Sequence, residues 1–250
     1  MKNKDTEITP IINKIISITK EKSLEYFSWK IPSDCPIKIP TSLRNNYERN
    51  IYLKENFVKN ITNPAGDDYY WIINKWGRIT SFKKNEKNDM LLTSFRREIE
   101  SGTLSSDSFS RISSLSKVAS FLNPTKYAIY DSRAIFSLNW IIYTHANQLD
   151  LYPQPPGRPS KISALDCKTI FTLHNPKVRY HPHQIAYHHY CELMRTLSQA
   201  VFGEASKPYK IEMLLFLLAP SYIVNEIKEG TTITIKQPNQ ANPGQIQTKG

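Results

Sequence analysis

The chain has 250 residues, and its 33 lysines and arginines outnumber 22 aspartates and glutamates, which gives a formal net charge of +11 at pH 7. An excess of this size favours a polyanionic partner such as nucleic acid or an anionic membrane surface. The length fits one large domain or two smaller ones. The 40% share of hydrophobic residues is enough for a core, which argues against disorder throughout.

Motif content argues against several classes of protein. Only eight glycines are present, and none forms a dinucleotide-binding GxGxxG or a phosphate-binding GxxxxGK[ST] pattern. Neither GxSxG nor HExxH occurs. The longest purely apolar run, 213–219, is far shorter than the roughly 20 residues that a membrane helix needs. With no apolar signal core at the N-terminus and no disulfide framework, we expect a cytoplasmic protein without membrane association.

Hydrophobic periodicity predicts helices in the N-terminal part of the chain. Isoleucines spaced three and four residues apart predict a helix within the first 20 residues, and a second helix is predicted over 45–60. Three prolines make 31–42 an extended connector. A turn cluster at 63–68 leads into an aromatic and β-branched stretch, 69–82, where we expect short strands.

The middle of the chain is also predicted to be helical, with helices at 89–100, 111–122 and 132–148. Four prolines within 153–159 predict a surface connection.

The C-terminal part begins with a helix that Pro182 opens. A fully apolar helix follows at 209–219 and is expected to end at Pro220, and a strand is predicted for 231–236.

The stretch 114–139 carries the most informative side chains. In its first helix the apolar residues share one face, and Lys117 points to the opposite side. Asp131 directly precedes the next helix, where an aspartate caps free N–H groups and meets the positive end of the helix dipole. Asn123-Pro124 should stop the first helix. The following seven residues span up to about 23 Å, enough for the amine and the carboxylate to face one cleft.

This segment resembles the helix-hairpin-helix DNA glycosylase superfamily, in particular the 8-oxoguanine glycosylase branch and its bacterial relatives. In that branch a hairpin leads into a helix that carries a catalytic lysine followed by Val-Ala, which Lys117-Val118-Ala119 matches. A short connector then reaches an aspartate at the start of the next helix, which Asp131 matches. The family's hairpin glycines are replaced by RISSLS here, and the spacing from lysine to aspartate is shorter than in the eukaryotic enzymes.

The resemblance implies a mainly α, two-lobed, helix-hairpin-helix glycosylase-like fold with minor β content. It divides the chain into an N-terminal, mostly helical lobe with short strands (1–104), a catalytic lobe (105–236) and a disordered tail (237–250).

The resemblance also implies an enzyme that binds DNA, flips a nucleotide and excises its base by cleaving the N-glycosidic bond. Asp131 would stabilise the positive charge that builds on the sugar and orient the nucleophile. Two readings of Lys117 stay open. Its neutral amine attacks and forms a Schiff base, with AP-lyase strand cleavage to follow, or water attacks while Lys117 holds a phosphate. No cofactor, metal or obligate protein partner is expected.

The substrate and the class of protein are the open alternatives. The excised base is expected to be an oxidised purine or a hypermodified base of phage DNA, such as glucosylated hydroxymethylcytosine, removed in antiviral defence. The competing class is a non-catalytic nucleic-acid-binding module on the same scaffold. In that case Asp131 is a plain helix cap and Lys117 a solvated or phosphate-binding lysine.

Further residues are assigned by position and resemblance. DNA contacts are expected at Ser113, Ser114, Ser116, Lys126, Arg133, Lys75 and Arg78. The base pocket is expected to include Trp76, Tyr130 and Glu212. A core aromatic for Trp76 and an ordinary first-turn acid for Glu212 are the structural alternatives.

The stretch 151–190 is basic and holds five of the six histidines. It fits either a path for a nucleic-acid backbone or an ordinary basic surface. No established zinc spacing occurs among His181, His183, His188, His189 and Cys191, so no metal site is predicted there.

Overall fold

The computed structural model describes residues 4–61, 66–156, 162, 165–232 and 234 of the chain. Most of these residues lie in helices and none of them forms a β-strand, which confirms the mainly α class. The expected minor β content is reduced, within this part of the chain, to one isolated parallel bridge between Leu151 and Tyr180.

The described α-helices are, in chain order, α1 (Lys4–Glu21), α2 (Asn46–Asn60), α3 (Gly66–Tyr70), α4 (Glu86–Ser101), α5 (Ser106–Ser110), α6 (Ile112–Leu122), α7 (Ser132–His145), α8 (Cys167–His174), α9 (His183–Phe202), α10 (Tyr209–Leu218) and α11 (Val224–Gly230). A 3₁₀ turn lies at Leu24–Tyr26, and π-helical turns lie at Trp71–Trp76 and Ala219–Ile223. The helices predicted at the N-terminus, at 111–122 and 132–148, after Pro182 and from residue 209 are confirmed as α1, α6, α7, α9 and α10.

Side-chain caps start two further predicted helices. The Asn45 side chain accepts a hydrogen bond from the Glu48 N–H at 2.9 Å, and Asn85 accepts one from the Asn88 N–H at 2.9 Å. Asparagine is a strong N-cap because its oxygen supplies the partner that first-turn N–H groups lack. Gly102 ends α4 in the left-handed conformation (φ 84°), which glycine adopts without steric cost. The helices predicted in these two stretches are thereby confirmed as α2 and α4.

The aromatic stretch after residue 69 is helical, and the short strands expected there are wrong. Tyr69, Ile72, Ile73 and Trp76 are all buried, and their spacing of three and four residues is that of one helix face. The helical periodicity therefore prevails over the β propensity of the single residues.

Pro220 does not end the helical path after α10, as the sequence predicted. The chain continues through the π-helical turn Ala219–Ile223 directly into α11. Proline lacks an N–H and clashes with the preceding turn of an α-helix, and the wider π turn accommodates it without breaking the path.

Some expectations fall outside the described residues. These are the tail 237–250, part of the turn cluster at 63–68 and part of the proline-rich connection 153–159. In the stretch predicted as a strand, Thr231, Thr232 and Thr234 lie outside regular secondary structure, and the other residues of 231–236 are not described.

One buried apolar cluster extends from α1 to α11 and includes residues on both sides of the predicted boundary at 104/105. At its centre lies α7, in which every residue from Ser132 to Ile142 except Arg133 is buried. It packs against α1, α8 and α10, while α6 packs against α2 and the π-helical turn Trp71–Trp76. Burial of a large apolar side chain contributes roughly 1.5–3 kcal/mol, so these contacts hold the first turns of α6 and α7 in place.

None of the helices in the described part of the chain is long and apolar enough to cross a membrane.

Candidate active site

A cleft of about 510 Å³ lies where the first turns of α6 and α7 come together. Lys117 and Asp131 both line it, so the structure brings together the two residues that the sequence singled out. Lys117 Nζ lies 3.8 Å from Asp131 Oδ2, and the two side chains are 6% and 22% exposed. The ammonium is thus nearly sealed, while the carboxylate keeps access to solvent.

Lys117 is not a solvated surface lysine, because only 4% of the residue is exposed. Its Nζ donates a hydrogen bond to the Ser113 carbonyl oxygen at 2.7 Å, one helical turn earlier. Burial lowers the pKa of Lys117, and the Lys54 cation lowers it further, whereas the Asp131 and Glu212 carboxylates oppose this. The net pKa lies below the usual 10.5, which increases the fraction of neutral amine near neutral pH.

Gly77 makes room for the Lys117 side chain. A Cβ atom at this position would lie 2.6 Å from Lys117 Cδ and 2.6 Å from the Ile73 carbonyl oxygen. Real side chains do not approach this closely, so any larger residue would displace either the lysine or the π-helical turn. The glycine is needed for space rather than for its backbone conformation, since its φ is −77°.

Asp131 is both a helix cap and a wall of the cleft. Its Oδ1 accepts a hydrogen bond from the Arg133 N–H at 2.8 Å, which caps α7. Its Oδ2 lies 3.8 Å from Lys117 Nζ. Asp131 therefore caps α7 with Oδ1, while Oδ2 is on the side of Lys117.

Asp131 is reached through residues 127–130, which we call the approach segment. The segment belongs to no helix or strand, yet buried side chains satisfy its carbonyl groups. The Tyr187 hydroxyl donates to the Ala128 carbonyl at 3.1 Å, and the Tyr190 hydroxyl donates to the Ile129 carbonyl at 2.9 Å. Since a buried carbonyl without a partner is costly, these tyrosines hold the segment in one place.

The N–H groups of the approach segment are satisfied in the same way. Ile129 N–H donates to Glu212 Oε2 at 3.4 Å, and Tyr130 N–H donates to Ser116 Oγ at 3.0 Å. Ala128 N–H lies 3.5 Å from the Cys191 sulfur. Side chains of α6, α9 and α10 thus supply the hydrogen-bond acceptors for the N–H groups of the approach segment, which a neighbouring strand would supply in a β-sheet.

Two arginines and two aromatic rings form another part of the cleft lining. The Arg78 guanidinium lies 4.4 Å from the Trp29 ring centre, and that of Arg133 lies 4.6 Å from the Phe216 ring centre. The two rings meet edge to face at 5.5 Å. The arrangement presents flat, cationic surfaces of the kind that stack on bases and attract phosphate.

Sequence reasoning missed Trp29 and Phe216. Trp29 lies beside a proline-rich connector and Phe216 within a fully apolar helix, so neither stands out from ordinary core residues. No residue pattern around either position marks a cleft. The left-handed φ of 56° at Arg78, which lies against Trp29, is seen only in the structure.

The residues predicted to contact DNA separate into two groups. Ser113, Ser114, Arg78 and Arg133 line the cleft. The other three do not. Ser116 is fully buried under the approach segment, Lys75 is exposed and lies 3.6 Å from Asp34, and Lys126 lies over the Tyr127 ring.

The residues predicted for the base pocket lie behind the cleft, and none of them lines it. Trp76 is 5% exposed and donates its indole N–H to the Asn50 side chain at 2.8 Å. Tyr130 is fully buried and donates its hydroxyl to the Pro153 carbonyl, and Glu212 pairs with Lys54 at 2.8 Å. The prediction is corrected because interior packing and hydrogen bonds already engage all three.

The segment RISSLS, 111–116, is helical from Ile112 onward. Arg111 alone separates α5 from α6, and the Ser114 and Leu115 N–H groups both donate to its carbonyl oxygen. The segment therefore contributes serines and an arginine to the lining of the cleft.

The histidine-rich stretch contributes to a second cavity, of about 550 Å³. His183, which lines it, stacks on Phe109 at 4.6 Å between ring centres, and His181 lies 4.7 Å from the Tyr152 ring. Burial lowers the pKa of His181, and the neighbouring His189 lowers it further. Within the described residues no group of three or more His, Cys, Asp or Glu side chains is placed to hold a metal ion.

Comparison of the chain with protein-family models, with curated proteins and with solved structures finds no match.

Proposed function

We propose that the protein is a DNA glycosylase of helix-hairpin-helix type that acts on DNA in the cytoplasm. The observation that carries the proposal is the approach of the buried Lys117 amine to the Asp131 carboxylate, 3.8 Å apart on the wall of one open cleft. A buried amine with a lowered pKa beside a carboxylate is the pair that attack at an anomeric carbon needs.

Asp131 acts on the developing positive charge of the sugar. As the bond between C1′ and the base nitrogen lengthens, C1′ and O4′ share a positive charge, which a fixed carboxylate stabilises best where little water screens it. The hydrogen bonds to the approach segment keep the carboxylate in place before the substrate arrives. No energy is then needed to reorganise it during the reaction.

Lys117 is the nucleophile. The lone pair of its neutral amine forms a bond to C1′, and the electron pair of the broken C1′–N bond leaves with the base, which takes up a proton. The amine then loses a proton as the C1′–O4′ bond breaks, O4′ is protonated, and a C1′=N Schiff base remains. Removal of a C2′ proton with departure of the 3′ phosphate would give the AP-lyase step.

The cationic and aromatic lining supports binding of an extruded nucleotide. Arg78 and Arg133 offer charge to the phosphates and flat faces to a base, and Trp29 and Phe216 hold their guanidinium groups in place. The net charge of +11 adds a sequence-independent attraction to DNA.

The excised base is a modified one, either an oxidised purine or a hypermodified base of phage DNA such as glucosylated hydroxymethylcytosine. The test uses duplexes and single strands that carry one of these bases or a normal base. Each is incubated with the full chain, and the abasic sites and free base are then quantified. Release of one modified base, with normal DNA intact, is the expected result.

The opposite result is equally informative. If the protein binds these DNAs and none of them loses a base at any pH from 5 to 10, the non-catalytic binding module is the correct class. Borohydride addition during turnover separates the two roles of Lys117, because it reduces a Schiff base to a stable protein–DNA adduct. Base release without an adduct would assign the attack to water.

A further inference from the structure

A second lysine–carboxylate pair lies behind the cleft, and the proposed reaction does not use it. Lys54 Nζ and Glu212 Oε2 are 2.8 Å apart, and their side chains are only 2% and 6% exposed. Removing two charges from water costs several kcal/mol for each ion, so a sealed pair is rarely a gain for stability alone. The pair lies beside the cleft that holds Lys117 and Asp131, close enough for its charges to act on Lys117.

The Lys54 ammonium has both polar and aromatic partners. Besides Glu212, its Nζ donates to Ser120 Oγ at 3.0 Å. The Trp76 and Tyr209 rings lie 5.9 Å and 5.7 Å from it. These contacts place the cation firmly between α2, α6 and α10.

Glu212 connects this cation to the approach segment. The Oε2 atom that binds Lys54 also accepts the Ile129 N–H, two residues before Asp131. Among the described side chains that bond to residues 128–130, Glu212 supplies the only carboxylate, since the others are tyrosine, serine and cysteine. A change at Glu212 therefore acts on both the position of Asp131 and the charge within the core.

Lys117 is influenced by both members of the pair. The Lys54 cation lowers the pKa of Lys117, and the Glu212 carboxylate raises it, as Asp131 does from the start of α7. Among the described residues, the other charged side chains that line the cleft are Arg78, Arg111 and Arg133. With the Lys54–Glu212 pair intact, its two members act on the pKa of Lys117 in opposite directions.

We infer that Glu212 is a positioning residue of the proposed reaction, which holds the segment carrying Asp131 and balances the Lys54 charge behind Lys117. The inference rests on the proposed function only for its effect on the reaction. Its effect on Lys117 can be measured in the free protein.

The first experiment titrates the Lys117 amine without DNA. The full chain is labelled with ¹³C-lysine, and its Cε signals are recorded by NMR. The signal of Lys117 is assigned as the one that is missing in Lys117→Met, and its chemical shift is followed against pH. Glu212→Gln leaves the Lys54 cation unbalanced, so the midpoint should fall by on the order of one pH unit. Lys54→Met leaves the carboxylate unbalanced, so the midpoint should rise by a similar amount. The double variant restores neutrality and should titrate close to the wild type.

The matched control is Glu226→Gln. Glu226 also pairs with a lysine, Lys14, in a partly buried contact between α1 and α11. It also accepts a hydrogen bond from Trp140, whereas Glu212 accepts one from the approach segment. The Glu226→Gln variant should therefore titrate with the same Lys117 midpoint as the wild type. If Lys54→Met does not fold, the comparison of Glu212→Gln with the double variant still decides, because the two differ only in the residue at position 54. Equal midpoints in those two variants, or in Glu212→Gln and the wild type, would overturn the charge-balancing role.

The second experiment measures single-turnover base release from pH 5 to 10 on the DNA that the wild type cleaves. Glu212→Gln should lower the plateau rate by about 10-fold and shift the rising limb of the pH profile to lower pH in step with the Lys117 midpoint. The enzyme concentration that gives half the plateau rate should change less than twofold. Glu226→Gln should alter none of these. An unshifted limb, or an equal loss in both variants, would overturn the positioning role. A further outcome is that the Lys117 midpoint shifts in opposite directions in Glu212→Gln and Lys54→Met although the wild type releases no base. That result would overturn the glycosylase proposal and would leave intact the electrostatic effect of the Lys54–Glu212 pair on Lys117.

Discussion

Two lysine–carboxylate pairs lie close together in this protein, and they differ in access and geometry. The Lys54–Glu212 pair is sealed at 2.8 Å, with both side chains almost wholly buried. In the Lys117–Asp131 pair the charged atoms are 3.8 Å apart, and the carboxylate is 22% exposed on the wall of a cleft. We call the first the closed pair and the second the open pair.

The difference supports a reactive role for the open pair and a structural one for the closed pair. In the closed pair the lysine contacts a carboxylate, a hydroxyl and two rings, so no position remains for a substrate. In the open pair 3.8 Å is too long for a hydrogen bond, and among the described residues the lysine donates to one acceptor, the Ser113 carbonyl oxygen. A buried charge without full satisfaction is typical of a functional site rather than of a structural one.

The largest effect is expected from Lys117→Met, which removes the nucleophile of the open pair. The borohydride-trapped adduct should disappear entirely, as assayed by gel shift of labelled DNA. The melting temperature at pH 7 should not fall. Because the folded-state pKa of Lys117 lies below 10.5, the unfolded state binds more protons, and the cost of burying the lysine persists until the pH rises through that pKa. A full adduct in this variant would show that the wrong lysine has been assigned.

Asp131→Asn is expected to give the next largest effect, since it removes the charge of the open pair. Asparagine caps a helix as well as aspartate does, so α7 should keep its cap and the melting temperature should change little. The single-turnover rate of base release should fall by about 10²–10³-fold, the range found for the loss of one electrostatic contact to a transition state. Activity within twofold of wild type would leave Asp131 as a cap alone.

Gly77→Ala should disturb the open pair without touching its charges. The added methyl group would meet Lys117 Cδ and the Ile73 carbonyl, so the amine must move by a fraction of an ångström. A misplacement of this kind can reduce the rate by about 10–100-fold. Gly66→Ala is the matched control, because nothing lies within 4 Å of a Cβ atom there. Equal rates for the two variants would mean that the lysine position has no influence.

The smallest effect is expected at a third pair, Lys75–Asp34, which is exposed. Its charged atoms are 3.6 Å apart, with side chains 63% and 52% exposed. Exposed ion pairs contribute roughly 0–1 kcal/mol, so Lys75→Ala should change the free energy of unfolding in urea by less than about 1 kcal/mol. It should also leave the rate of base release unchanged, since Lys75 does not line the cleft. A rate loss as large as that of Asp131→Asn would extend the site beyond the cleft.

The sequence was informative where the signal is local. The periodicity of the isoleucines predicts α1, the residue pattern of 45–60 predicts α2, and Asn123-Pro124 predicts the end of α6, each of which the structure confirms. Such signals depend on residues within one turn of each other, and the energies of caps and helix faces act at that range.

The lining of the cleft could not be predicted in this way. Trp29 and Phe216 lie 187 positions apart in the sequence and meet only because α10 packs beside the segment that carries Trp29. Glu212 was expected at the cleft and lies behind it, because whether a first-turn acid points to solvent or to a buried lysine depends on α2. No local pattern encodes such distant packing.

The sequence by itself determined that the chain is mainly helical, basic and able to bring Lys117 and Asp131 to one place. The tertiary structure decided which of the two lysine–carboxylate pairs stays open. That outcome depends on the burial of each charge, and burial is a property of how α2, α6, α7 and α10 pack together. Desolvation lowers the pKa of Lys117 only once those helices exclude water from it.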